Sequence, residues 1–369
     1  MVHPVPQIVG QLMKLAKEEG PEVRLCLIAY VTGFDRIADV QEHPIITEFF
    51  SDGEVSDLLW AIRSVVSYCE LFQNEADFFD FVSKIGGLDL PNEKHITYST
   101  VSPIRARAAS ATIPLFCAAN SIATCTIDPY GLALTQNKFH VVTLLRQFGL
   151  PVPDSWLFSS SSGWLNGLKP SVGQKVIAKP VYESASIGID DQSVFCWNED
   201  EEVFLKKRSY ELRQPLMVQA FVPGQEVEVP VIGAQDAVSL PPCSVVLDGK
   251  INLADQYLTF ETVFNDAYEY KDFTQLEPEL AQKISVTAST AHILLTLDGI
   301  SRVDFRISDT GLYYITDLNA VPHLTRHGAV AHSFQFMGFP YEAMIACLVG
   351  VGLRRRNNLH KRPNFDWGE

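Results

Sequence analysis

The sequence has no long apolar run. Although 47% of its 369 residues are hydrophobic, no stretch reaches the roughly 18 residues that a membrane-spanning helix needs. The opening MVHPVPQIVGQLMKLAKEEG lacks both the apolar stretch and the small-residue cleavage site of a secretory signal, so the expected compartment is the cytoplasm. Positive charge is also short: 29 Lys and Arg stand against 44 Asp and Glu, a net charge of −15. That balance argues against a general binder of nucleic acid or of an anionic membrane. Seven cysteines are present, at 26, 69, 117, 125, 196, 243 and 347, and none forms a CxxC pair. An odd number in apolar contexts is expected to be reduced and mostly buried, with no zinc ribbon. The first third carries no phosphate-binding glycine fingerprint, and the chain has no internal repeat and no low-complexity tract.

The length exceeds what one compact core usually holds, and two or three subdomains are expected. Residues 23–31 (VRLCLIAYV) read as a buried strand, 54–66 as an amphipathic helix, 96–99 as a short strand and 107–119 as a helix. Strands alternating with helices suggest a parallel α/β layer. A helix is expected over 135–149, capped by Thr135 and ended by Gly149, with Phe139, Val142 and Leu145 on one face. LPVP at 150–153 then forces an extended linker. Beyond it come VIAKP (176–180), SVFCW (193–197) and a helix from about 199, with Asn198 and Glu201 spaced as a capping box. The segment 215–233 follows, then a long polar stretch to about 274, a helix over 277–296, and strands at 302–307 and 312–319. The basic cluster Arg354, Arg355, Arg356, His360, Lys361 and Arg362 reads as a solvated helix end whose cations suit the dipole.

RVDFRISDTGLYYITDLN carries the strongest chemistry. Alternate residues of a strand share a face, so Arg302, Asp304 and Arg306 point one way and Val303, Phe305 and Ile307 the other. A turn centred on Thr310–Gly311 pairs Asp304 with Asp317 and Arg302 with Asn319. Opposed carboxylates repel unless a cation lies between them. Two of them with a neighbouring amide make an oxygen-rich set that suits Mg²⁺ (or Mn²⁺), which keeps waters and shares phosphate oxygens. Arg302 beside them could neutralise an oxyanion. The competing reading is a solvated face whose charges pair among themselves. His323, His327 and His332, spaced four and five apart, fit no metal site.

Three further segments accompany the hairpin: Lys138 in TQNKFH, VIAKPVYESASIGI at 176–189, and VQAFVPGQEVEV at 218–229. In this order and spacing they resemble the D-alanine–D-alanine ligase branch of the ATP-grasp family, over roughly residues 130–328. The resemblance implies an α/β (α+β) ATP-grasp fold. A Rossmann-like pre-ATP-grasp domain would span 1–134, a central ATP-grasp subdomain 135–216 and a C-terminal one 217–369. It implies ATP and Mg²⁺ as cofactors, with Lys138 and Lys179 on the α- and β-phosphates. Glu183, Ser184, Ala185 and Ser186 would lie in a mobile phosphate-covering loop. Gln219, Ala220, Phe221 and Val222 would read the adenine edge, and Glu226 the ribose hydroxyls. Asp304, Asp317 and Asn319 would bind the metal. Arg302, Lys271 near the γ-phosphate and Ser186 would form the catalytic set. Glu228 shares a face with Glu226 and is expected to be solvated, and Tyr268 could shape the substrate pocket.

The implied reaction is ligation of a small carboxylate to an amine through an acyl phosphate. An ATP-grasp small-molecule kinase and a non-catalytic nucleotide-binding protein are the alternatives. The partners expected are small molecules, with no nucleic acid and no membrane, and the resemblance admits a homodimer. The sequence departs from that branch where the substrate should sit. STVSPIRARAASATIP stands where the His-Gly…Gly-Glu-Asp-Gly stretch is expected, His323 follows Pro322 in place of glycine, and Gly328 replaces a serine. Ala185 also replaces a serine, and Asp317 the usual Glu. A substrate other than D-alanine is therefore expected, and Arg105 and Arg107 are candidates to hold its carboxylate.

Overall fold

The computed structural model describes residues 3–32, 49–84, 94–100, 106–165 and 167–358. Its first third builds a parallel sheet from β1 (Val23–Ile28), β2 (Tyr68–Phe72), β3 (Lys94–Ser99) and β4 (Ala123–Thr124), ordered β2–β1–β3–β4. β1 is apolar throughout its second half because helices cover both faces. Leu25 and Leu27 enter a core shared with helices Gln7–Glu19 and Tyr341–Arg356, while Cys26 and Ile28 face Phe72, Phe78 and Cys117. The helix expected at 54–66 runs Asp52–Arg63 and begins at a complete capping box between Ser51 and Glu54. The 107–119 segment is a short 3₁₀ turn followed by helix Thr112–Ala119.

The central sheet is antiparallel. β5 (Ser155–Ser159), β6 (Gly163–Trp164), β7 (Lys175–Pro180), β8 (Val194–Cys196) and β9 (Leu216–Ala220) stand in the order β6–β5–β9–β7–β8. Val176 and Ala178 of β7 face a core with Phe158, Trp197 and Val218. By alternation, Ile177 and Lys179 face the other side. The third sheet is also antiparallel. It contains β10 (Gln225–Gly233), β11 (Val238–Ser239), β12 (Cys243–Val246), β13 (Glu269–Asp272), β14 (Gly299–Ile307) and β15 (Tyr313–Asn319). The order is β13–β12–β10–β14–β15, with β11 alongside β10. Val227, Val229, Val303, Phe305 and Ile307 pack against helix Pro278–Leu294. The opposite face is thereby left to the charged residues of β10 and β14.

Several local expectations need correction. Residues 135–149 are not one helix: Pro129–Thr135 and Lys138–Gln147 are separate. Thr135 spends its hydroxyl on Gly131 O at 2.7 Å, inside the first helix. Asn137 caps the second by accepting from His140 N at 3.0 Å. The Asn198–Glu201 box does not form. Asn198 Oδ1 accepts from Asp200 N instead, and helix Glu201–Glu211 starts without a side-chain cap. The polar stretch before 274 contains β12, β13 and helix Phe260–Phe264. Arg354 and Arg355, near the end of helix Tyr341–Arg356, are not a solvated end. Arg354 and Arg355 both bind Asp298, and Arg355 also donates to Thr124 O and Thr126 O. They bolt the Tyr341–Arg356 helix to the ends of β4 and β14; His360, Lys361 and Arg362 lie outside the described residues. All seven cysteines are free and only Cys196 is exposed. Among the described residues no single helix is long and apolar enough to cross a membrane.

Candidate active site

The two antiparallel sheets enclose a cavity of about 480 Å³, in the range of small-molecule sites. Three strand pairings build its floor. β14 pairs with β15 so that Asp304 opposes Asp317 and Arg302 opposes Asn319, the expected pairs, although Ile307 opposes Tyr313 beside the turn, one residue off the register that a turn centred on 310–311 gives. A bulge after Asp304 absorbs Thr316 and so keeps Ile315 in the core while Asp317 stays on the cavity face. On the other side β14 pairs with β10, which places Glu228 opposite Asp304 and Glu226 opposite Arg306. Val303, Phe305 and Ile307 are buried beneath, so the polar set above them rests on a packed layer.

Charges on this floor are matched. Arg302 makes two bonds to Asp304, Nε to Oδ1 at 2.7 Å and Nη2 to Oδ2 at 2.8 Å, and its Nε lies 3.3 Å from Glu228. Glu228 is 3% exposed and also accepts from Tyr270 Oη at 2.6 Å. It is not solvated: the 2-residue period that exposes Glu226 to the cavity also drives Glu228 under Tyr270. Burial raises its carboxyl well above the usual range, against the pull of Arg302.

At the roof Lys138, the first residue of its helix, forms an ion pair with Asp317. Lys179 donates to Gln219 Oε1 at 3.2 Å and to Thr316 O at 3.4 Å. Burial lowers the Lys179 pKa, opposed by Asp317 and assisted by Lys138. For Asp317 burial works upward, but the two lysines outweigh it and hold the carboxyl below its ordinary value. Two ammonium groups and an arginine thus face a cavity whose acids they neutralise, which is the charge pattern a polyanion with a cation requires.

Residues 183–188 form a loop over this cluster. Ala185 (φ 46°) and Ser186 (φ 55°) are both left-handed, a conformation that costs a side-chain-bearing residue about 1–2 kcal/mol and recurs at ligand clamps. Glu183 accepts from Gln214 Nε2 at 2.6 Å, which fixes the loop's root. At the far end β9 passes into Phe221, Val222, Pro223 and Gly224 before β10. A Cβ on Gly224 would stand 2.0 Å from Ile307 O at φ +130°, so this linker needs glycine there. Arg306 holds it through Val222 O at 2.9 Å.

Every residue expected for nucleotide, metal or catalysis except Lys271 lines the cavity. Lys271 is exposed on β13 while its neighbour Tyr270 turns inward, and the alternation that brings one in sends the other out. The expected placement of Lys271 in the cavity is thereby corrected. Tyr268 lines the cavity beside Tyr270, their rings 5.5 Å apart. Arg105 lies outside the described residues, and Arg107 is exposed, 5.4 Å above the Tyr182 ring. His323 packs on Phe50 and His332 on Tyr270. Glu228 and Arg306 are the floor residues that sequence reasoning did not assign. Their strand faces, shared with Glu226 and Asp304, were the available signal.

The donor set fits a hard divalent cation. Among the described residues no three His, Cys, Asp or Glu cluster as a closed metal cage. The hairpin instead offers two carboxylates and one amide oxygen, an open set to be completed by phosphate and water. Asn319 Oδ1 accepts from Val321 N at 2.8 Å and Asp317 Oδ1 from Leu318 N at 2.9 Å. These contacts orient both oxygens and leave each a second lone pair.

A parallel sheet followed by two antiparallel sheets that clasp a cationic and acidic cavity defines the ATP-grasp class. Solved structures agree: the D-alanine–D-alanine ligase from Bacillus anthracis complexed with ATP superposes at TM-score 0.64 over 91% of this chain and 98% of that one, at 14% identity. VanG D-Ala:D-Ser ligase from Enterococcus faecalis gives 0.64 over 89% and 99%, at 15% identity. A family model, D-ala D-ala ligase C-terminus, matches residues 144–350; that is more than half of the chain, and the chain belongs to this family. Curated relatives include the D-alanine–D-alanine ligase of Borrelia duttonii (strain Ly), 26% identical over 242 residues, 64% of this chain and 65% of that protein. The same enzyme of Geobacillus kaustophilus is 26% identical over 189 residues, 51% and 49%. The chain spans less than two thirds of the length of these relatives.

Proposed function

We propose that the protein is an ATP- and Mg²⁺-dependent ligase that joins a small carboxylate to an amine through an acyl phosphate. One observation carries this reading: Lys138, Lys179, Arg302 and the Asp304–Asp317–Asn319 set, distant in sequence, meet in one cavity.

The roles follow from chemistry. Lys138 and Lys179 hold the nucleotide phosphates, and the 183–186 loop covers them with its backbone N–H groups. The linker at Gln219–Val222 meets the adenine edge and Glu226 the ribose. Asp304, Asp317 and Asn319 hold the divalent cation, which supplies charge neutralisation and a template for the transferring phosphoryl group. A substrate carboxylate oxygen attacks the γ-phosphorus and ADP leaves. The amine then attacks the acyl carbon, phosphate departs, and Arg302 stabilises the oxyanion between these steps. The loop keeps water from the acyl phosphate, which would otherwise hydrolyse.

The substrate pocket supports an amino acid or related small carboxylate other than D-alanine. Its walls include Phe49, Glu54, Ser110, Tyr268, His323 and His327, and Gly328 and Ala185 replace the branch's serines. A phosphate-release screen with amino acids offered singly and in pairs tests the reading. Orthophosphate that appears only when an acid and an amine are both present, with an amide of matching mass, is expected. Transfer of phosphate to a hydroxyl product without release would replace the ligase by a kinase.

A further inference from the structure

The nucleotide end of the cavity is organised by one buried guanidinium. Arg306 is 5% exposed and spends its donors on four acceptors from three chain segments. Nε donates to Val222 O at 2.9 Å, Nη1 to Glu226 Oε2 at 3.1 Å and to Gln256 O at 3.1 Å, and Nη2 to Ala254 O at 3.0 Å. Its Cζ also lies 5.2 Å from the centre of the Phe221 ring. Strand register sets this up, since β10 and β14 place Glu226 opposite Arg306. A planar, five-donor fork can hold three carbonyls and a carboxylate at fixed angles, which a lysine's single ammonium cannot.

We infer that Arg306 is the positioning residue of the nucleotide pocket: it fixes the 221–222 linker and holds Glu226 by one oxygen so that the other is presented to the ribose hydroxyls. This rests on the nucleotide reading above. The same guanidinium ties in the 254–256 loop. From there Tyr257 Oη reaches Asp190 O at 2.7 Å and Phe260 N reaches Ile189 O at 3.0 Å, at the foot of the phosphate-covering loop. Arg306 therefore sets adenine linker, ribose carboxylate and loop anchor relative to one another.

The test is calorimetric titration of wild type, Arg306→Lys and Arg306→Met with Mg-ATP and with its 2′,3′-dideoxy analogue, each protein checked by thermal melting. A charged hydrogen bond lost from a buried site corresponds to roughly tenfold or more in affinity. The wild type is expected to prefer ATP over the dideoxy nucleotide by about that factor. Arg306→Lys should fold, bind ATP about tenfold more weakly and bring the ATP-to-dideoxy ratio close to one. The ratio is the decisive readout, because a strut that only supports the fold would weaken both nucleotides equally. An unchanged ratio in the folded Lys variant overturns the inference, as does failure of both variants to fold. A wild type that binds no ATP overturns the nucleotide reading itself.

Discussion

At the scale of single residues, the site is a set of charges that would repel in isolation and are arranged so that each meets its opposite. Arg302 stands between Glu228 and Asp304. Replacing it by lysine keeps one charge and loses the two-pronged contact; kcat is expected to fall about 100-fold with KM for ATP little changed, in steady-state phosphate release. Lys179→Met should instead raise KM for ATP and lower kcat/KM by about 100-fold or more, since the cation proposed to hold the phosphates is removed. Away from the cavity, His292 is fully buried between Ser301 Oγ at 2.7 Å and Gly233 O at 3.2 Å. Burial depresses its pKa from 6.5 to about 4. The unfolded chain therefore takes up a proton before the folded one does, and stability is lost as the pH falls from 6.5 towards 4. The full loss is about 3 kcal/mol, and urea midpoints across that range should show it shrinking the wild type's advantage over His292→Asn. The shared face of Arg302 and Asp304 was legible from alternation, and the glycine turn pointed to the pairing of Asp304 with Asp317, although a bulge that alternation does not show supplies that register. The burial of Glu228 and the inward turn of Tyr270 in place of Lys271 were not, because they depend on which strand lies beside which.

Among the elements, those with strong local signals are where the sequence pointed. β1, β7, β14 and β15 carry clear patterns, and Gly149 with φ 79° ends its helix as expected. Capping was less legible. Thr135, Asn137 and Asn198 are all acceptable caps by residue type, and only the backbone path decides that Asn137 is used while Asn198 bonds Asp200 instead. β12 and β13 hid in a polar stretch because β13 (EYKD) alternates around one buried position and sits at the sheet's edge. The linker between β9 and β10 is the element most exposed to substitution. Gly224→Ala would press a methyl against Ile307 O, 2.0 Å from where it must sit. A loss of about 2–4 kcal/mol in urea unfolding is expected, together with weaker nucleotide binding.

The described structure is closed by helix Tyr341–Arg356. Tyr341–Arg356 returns to the first sheet and shares a core with Gln7–Glu19. The two approach so closely that a Cβ at Gly350 would lie 2.4 Å from Leu12 O. Arg354 and Arg355 converge on Asp298, whose carboxyl they hold below its ordinary range although burial pushes it up. Arg355→Ala leaves that carboxylate and the Thr124 and Thr126 carbonyls short of a donor, and should cost about 3 kcal/mol in chemical denaturation. No apolar periodicity announces this closure, since it joins segments about 340 residues apart in the chain. The parallel layer of the first third follows from strands alternating with helices, whereas the two antiparallel sheets, whose facing sides carry the lysines and the acids, have no such pattern and come with the ATP-grasp resemblance. These two sides are proposed to grip one metal–nucleotide complex, and calorimetry of Mg-ATP binding to the wild type and to Asp317→Asn decides the matter. A single site in the wild type whose affinity requires Mg²⁺, with that dependence lost in Asp317→Asn, is the predicted result. Equal, Mg²⁺-independent binding by both proteins would contradict it.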